Sequence, residues 1–458
     1  MLVGILAALL ALTTGCTSVG GAPDFGVGGS SGSGGSGLPS RPRAAPQSGG
    51  DLLASADLHT LYQALIDSYV DPVDPGLLIN GAVRGTHQAS VQAGLLPMES
   101  GIFDTATLRL SSDADGAWNQ WSQIYNTFLR KLLNRIDVRG IGQGAAKGML
   151  DALHDPNTTF MTRGDLQALQ ISDYVGVGVV LAPTGARGSP VVREVTPGSP
   201  ADSSGLGVGD LILAVGGKTT DSLTLSETVD AIRGTAGTEV ALTIRSPRSV
   251  AREVSVRRGV VRSASVNTDL RSGVGYVRVR ALQEGTSAAV RTALVQAPSG
   301  TRGWVLDLRG NDKGSLQEAV NVASLFVGDG VVAFQEDRTN RRAAIRGAGR
   351  PLNGLAPTVV LVDEGTGGAA EVLTAALRDN GVATVVGSQT AGRAARTMQV
   401  PLSDGSVAQI TSQRLVSPSG QPLNRIGLKP EDLIIATADD WISGHDVQLD
   451  RALAKVGA

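Results

Sequence analysis

Four short apolar runs constrain this chain more than any other feature: GVGYVRV (273–279), GWVLDLRG (303–310), TVVLVDEG (358–365) and ATVVGS (383–388). Their apolar residues run consecutively instead of alternating with polar ones. A strand of that kind has no face to offer water, so both of its faces must be covered. Between them lie stretches with helical spacing, SLQEAVNVASLFVG (315–328) and AAEVLTAALRDNG (369–381). Strand and helix in alternation predict a largely parallel sheet with helices packed on it, over about 273 to 436. The tail, DVQLDRALAKVG, reads as a short amphipathic helix.

The flanking regions read differently. From 51 to 172 the spacing is helical, and ADLHTLYQALIDSYV sets Leu58, Leu61, Leu65 and Ile66 near one face. Gly81-Ala-Val-Arg-Gly85 and Gly144-Ala-Ala-Lys-Gly148 echo each other. We read them as two helices meeting through small residues, and Trp118 and Trp121 as core. From Tyr174 to Arg258 the pattern turns to short strands with dense turn chemistry: Pro197-Gly198, Pro200, Gly205, Gly207 and Gly209-Asp210. A helix-like SLTLSETVDAIRG follows, then the strands EVALTIR and REVSVRR. This stretch resembles a PDZ domain of the bacterial protease type. The resemblance makes Tyr174, Val175, Gly176, Val177 and Gly178 a carboxylate-binding loop, with Leu225, Val229 and Ile232 lining the groove beside it. Glycines there let backbone N–H groups turn toward a peptide's terminal carboxylate while the next strand accepts the peptide as an added strand.

Charge and cysteine content narrow the chemistry. A net charge of −2 supplies no basic field, so nucleic acid is excluded as a partner. The one cysteine, Cys16, permits no internal disulfide, and His59, His87, His154 and His445 are too scattered for a metal site. We expect no metal and no cofactor. MLVGILAALLALTTG is an apolar stretch ending in small residues ahead of Cys16, and reads as a signal peptide with a lipidation cysteine. Residues 17–50 are rich in Gly, Ser and Pro and cannot bury enough apolar surface to order themselves. We read them as a tether reaching roughly 30 Å. The expected layout is therefore a signal segment (1–16), a linker (17–50), a helical region (51–172), a PDZ domain (173–260) and an α/β core (261–458). The expected location is extracytoplasmic, with a lipid anchor at the membrane.

From about Leu52 onward the chain resembles the carboxy-terminal processing, or tail-specific, serine proteases. The segments carrying the resemblance are YVDPVDPGLLINGA, LHDPNTTFM, the PDZ region, the strand Gly275-Tyr-Val-Arg-Val, VLDLRGN, the block from Glu364 to Gly392, SPSGQPLNRIGLKPE and QLDRAL. The fold it implies is α+β and multidomain: N-terminal helices, a PDZ-like β-rich domain and a ClpP/crotonase-like α/β core. The family gathers C-terminal tails and cuts near them with a Ser/Lys dyad. Its Ser stands three residues before a helical Glu, here Glu371, which brings the position to Gly368. Its Lys follows a Thr-x-Gly turn 25 residues on, here after Thr390-Ala-Gly392, which gives Arg393. A Gln often four residues beyond is here Thr397.

Glycine carries no attacking atom, and arginine, with a pKa above about 12, cannot become a neutral base. Thr366 and Ser388 are the nearest other hydroxyls, and spacing sets no tunable base beside either. Asn311-Asp-Lys-Gly-Ser-Leu316 departs from the family's Pro-Gly-Gly, and Lys313 there reads as a solvated loop lysine. The leading expectation is a tethered pseudoprotease that binds C-terminal peptides or partner proteins without cutting them. An active serine endopeptidase with another nucleophile, and a scaffold regulating an active paralogue, are the alternatives. The emptied pocket, with Arg393 in it, is a candidate carboxylate site.

Overall fold

The structure is a computed structural model. It describes residues 55–95, 111–132, 138–169, 174–261, 264–352 and 354–457. Cys16 and the tether lie outside these. The described residues form one compact unit.

The α/β expectation is met. A six-stranded sheet runs in the order Val266–Arg271, Val274–Val279, Trp304–Asp307, Thr358–Val362, Ala383–Gly387, Asp432–Leu433. The first pair is an antiparallel hairpin and the other pairings are parallel. Thr358–Val362 is buried at every position, as its unbroken apolar run requires. Its side chains still alternate between two cores. Val360 and Val362 pack with the helices Thr286–Val295, Leu316–Val327 and Ala369–Asp379. Val359 and Leu361 pack with Leu449, Ala452 and Val456 of the C-terminal helix Val447–Gly457. The central strands thus sit between helices on one face and the C-terminal helix on the other.

A second sheet joins distant parts of the chain: Thr159–Met161, Val407–Val416, Val331–Glu336 and Arg342–Arg346, with Ala395–Pro401 also paired to Val407–Val416. The helices Ser55–Ser68, Pro75–Gln92, Ala114–Leu132 and Arg139–Asp151 pack against it. One core holds Leu58, Leu61, Leu65, Trp118 and Trp121 together with Val400, Leu402, Ala408 and Ile410. The glycine echo is a close helix crossing. A Cβ on Gly85 would stand 1.9 Å from the Gly144 carbonyl, and one on Gly81 would stand 2.2 Å from that of Gly148.

The PDZ region is a sheet of Val179–Ala182, Val191–Val195, Leu211–Val215, Glu239–Arg245 and Arg252–Arg257. Helix Leu225–Ile232 covers it, started by a capping box between Thr224 and Glu227. A two-stranded ribbon, Tyr174–Gly176 with Gly259–Val261, forms the neck where the chain enters and leaves. Polar contacts fasten this domain to the core. Arg193 donates to Asp363 at 3.0 Å, and Glu194 accepts from Arg278 at 3.0 Å and pairs with Arg280. Trp441 packs on Val191 and Leu211.

Candidate functional site

Strand Thr358–Val362 ends in a turn, Asp363–Gly368, that feeds helix Ala369–Asp379. Asp363 organises the turn. Its Oδ1 accepts from Gly310 N at 2.7 Å and from Gly365 N at 3.0 Å. Gly368 closes it at φ +58°, ψ −120°, a conformation open to glycine and strained for a side chain. Hydrolases use such a sharp strand-to-helix turn to expose a nucleophile. Space is available for one here, because the nearest atom to a Cβ built on Gly368 is the Arg393 carbonyl oxygen at 4.0 Å.

Glu371 joins this turn to the next. It is fully buried, one turn into the helix. Its carboxylate accepts from Gly368 N at 3.0 Å, Gly392 N at 2.7 Å and Arg393 N at 2.7 Å, and from the Thr390 hydroxyl. Burial pushes its carboxyl up, and these four donors pull the other way. Ala391 N donates to the Thr366 carbonyl at 2.8 Å and completes the junction.

The turns bring Gly368, Arg393 and Thr397 to the wall of one cavity of about 250 Å³, with Asp312, Asn157 and Gln409. Asp312 and Arg393 are its ionisable groups. They pair at 3.4 Å with both side chains near half exposed, so the contact is weak. Among the described residues, the one hydroxyl on this wall belongs to Thr397, and neither a lysine nor a histidine lines the wall with it.

The other hydroxyls are occupied. Thr366 Oγ1 donates to the Leu308 carbonyl at 2.9 Å and accepts from Asp363 N at 3.0 Å, which makes it a turn staple. Ser388 donates to Glu364 at 2.8 Å. Each therefore has a carboxylate close by, contrary to the expectation from spacing. The turn folds Asp363 back on Thr366, and the sheet sets Glu364 beside Ser388, a proximity invisible along the chain. Lys313 does not face this cavity. It stands at the PDZ groove, a pocket of about 290 Å³.

Of the residues expected to bind a tail, Gly176, Val177, Gly178, Val229 and Ile232 line that groove. Tyr174 and Val175 are ladder residues of the neck, paired with Val261 and Val260, and Leu225 lies outside the lining. Sequence reasoning missed Asp312, Asn157 and Gln409 as cavity walls and used Glu371 only as a landmark. Asp312 had a signal, since it sits in the loop that departs from Pro-Gly-Gly. Asn157 and Gln409 come from remote segments and had none. Among the described residues no cluster of acidic, histidine or cysteine side chains is arranged to hold a metal ion.

Comparison with known proteins agrees with this architecture. Residues 273–434 match the model of peptidase family S41, and residues 191–246 that of the PDZ domain. The chain is 31% identical over 332 residues to a chloroplastic C-terminal processing peptidase of Tetradesmus obliquus, covering 68% of this chain and 71% of the relative. It is 30% identical over 323 residues to a carboxyl-terminal-processing protease of Picosynechococcus sp., covering 69% and 77%. The solved photosystem II D1 C-terminal processing protease superposes with a TM-score of 0.52 at 26% identity, over 85% of this chain and 96% of that one. With family S41 and PDZ models matched in turn, and relatives at 30–31% identity covered over more than two thirds of their length, this chain belongs to the carboxy-terminal processing peptidases of family S41.

Proposed function

We propose that this protein is a non-hydrolysing member of its family, one that holds C-terminal peptides or partner proteins in its PDZ groove. A single observation carries the reading. The cavity beneath the sharp turn offers no nucleophile with a base beside it: a hydrogen stands at Gly368, and Arg393 is a permanent cation paired with Asp312. Acyl transfer requires both an attacking atom and a group that takes its proton. The PDZ domain, whose groove Gly176, Val177, Gly178, Val229 and Ile232 line, supports placing tail binding there. Cys16 and the glycine-rich segment after it support attachment to a membrane outside the cytoplasm. Among the described residues no helix is long and apolar enough to cross one.

The test is hydrolysis of an unstructured protein with an apolar C-terminus by the wild type and by the double variant Gly368→Ser, Arg393→Lys. Turnover by the double variant alone is expected. A serine at φ +58° costs about 1–3 kcal/mol of strain, so the variant should also melt earlier. Turnover by the wild type refutes the reading. For tail binding, Gly178 is a poor target, because a Cβ there would stand 2.3 Å from that of Ser199 and disturb folding. Val229→Glu, within the groove, should abolish binding while leaving the fold intact.

A further inference from the structure

Lys313 belongs to the core, yet it lines the PDZ groove. The loop that carries it is held at both ends. Asn311 is fully buried, donates its amide to the Val279 carbonyl at 2.9 Å and accepts from Gly367 N at 2.9 Å. Gly314 sits at φ +123° with the Leu282 backbone so close that a Cβ would stand 2.2 Å from its carbonyl oxygen. Leu282 N also donates to the Lys313 carbonyl at 2.9 Å. The backbone of Lys313 is thereby pinned between the sharp turn and the sheet. Its side chain is exposed and makes no hydrogen bond or ion pair among the described residues.

The position of that cation in the groove is informative. The lining takes in Gly176, Val177 and Gly178 from the loop and Val179 and Leu181 from the strand after it, with Val229 and Ile232 from the C-terminal half of the helix and Arg233 at its cap. Leu225, at the helix start, is not part of it. Lys313 therefore stands at the loop end, where the chain terminus of a bound tail would lie. Arg233, the other cation there, has Asp230 at 3.8 Å to offset it, and Lys313 has no such neighbour.

We infer that Lys313 is a binding residue for the terminal α-carboxylate of a tail held in the PDZ groove, so that the site is built jointly by the PDZ domain and the core. This rests on the proposed tail-binding reading and adds to it the residue that distinguishes a free C-terminus from an internal segment. The neighbouring residue, Asp312, faces the cavity at Gly368 and pairs with Arg393. Two consecutive residues of the altered loop thus serve two different sites.

The experiment measures binding of a fluorescent eight-residue peptide ending in valine, as the free acid and as the C-terminal amide. The proteins are wild type, Lys313→Gln, Lys313→Glu, and Lys218→Gln as a control on an exposed PDZ lysine outside the groove. Wild type is expected to prefer the acid. Lys313→Gln should weaken acid binding about fivefold while leaving amide binding unchanged, as for a solvent-accessible charge pair. Lys313→Glu should weaken it further, and Lys218→Gln should have no effect. The acid preference of wild type should shrink with added salt. Acid-selective binding by wild type that Lys313→Gln leaves unaltered overturns the inference and spares the tail-binding reading. No binding of either peptide by wild type overturns both.

Discussion

Replacing Glu371 by glutamine tests how the candidate site is held together. The carboxylate accepts four hydrogen bonds with two oxygens: Oε1 from Thr390 and Gly392, Oε2 from Gly368 and Arg393. Glutamine keeps one acceptor and turns the other into a donor. If the new NH2 replaces Oε2, two backbone N–H groups face a donor. If it replaces Oε1, the Thr390 hydroxyl can rotate to accept it, since that oxygen already accepts from Leu428 N and has a second lone pair. The cost is then one orphaned N–H, at Gly392, and one hydroxyl proton without its acceptor. At about 1–3 kcal/mol for each buried unsatisfied group, less the relief of no longer burying a charge, the net loss is about 2–4 kcal/mol. Urea unfolding reads it as a lowered midpoint at constant slope. Hydrogen exchange should show the Gly392 amide losing protection before the strands on either side do. A variant within about 0.5 kcal/mol of wild type, with unchanged exchange at Gly392, would refute the claim that Glu371 ties the two turns.

Asp307 is fully buried between Arg278 and Arg309, and Arg309 also reaches Asp446 at the start of the C-terminal helix. Burial acts to raise its carboxyl pKa, and the two guanidiniums override it and hold that carboxyl well below the usual range. Stability from this group is therefore present above the ordinary aspartate value of about 3.9 and is lost as pH falls toward the depressed one. Asp307→Asn should cost about 3–5 kcal/mol at neutral pH, and thermal melts across pH should show the gap to wild type closing in acid; a gap independent of pH would contradict this. Gly85→Ala, which sets a methyl against the Gly144 carbonyl, should lose about 1–3 kcal/mol. Gly140→Ala, in the same helix pair with nothing within 4 Å, should gain about 0.5–1 kcal/mol; equal melting temperatures for the two variants would deny the close crossing.

Much of the frame was legible because it depends on local pattern. Thr358–Val362 had to be a strand covered on both faces, and Leu58, Leu61 and Leu65 had to share one helical face. The glycines at 81, 85, 144 and 148 could be matched because tight helix contact demands small residues at helical spacing. The fit between chain and family frame placed Gly368 and Arg393, and the fold brings them to one cavity. The expected groove residues divide between two places. Tyr174 and Val175 follow the loop motif in sequence, but hydrogen-bonding to Val261 and Val260 assigns them to the neck.

By itself, then, the sequence determined the layers, the order of the domains and the absence of a side chain at the tip of the sharp turn, for these follow from residue type and spacing along one segment. Only the tertiary structure decided where charges meet. Thr366 and Ser388 each have a carboxylate beside them, Asp312 makes a weak, half-exposed contact with Arg393, and Lys313 of the core lines the PDZ groove. Electrostatic and hydrogen-bond partners act over a few ångströms of space, and residues that close can lie anywhere along the chain.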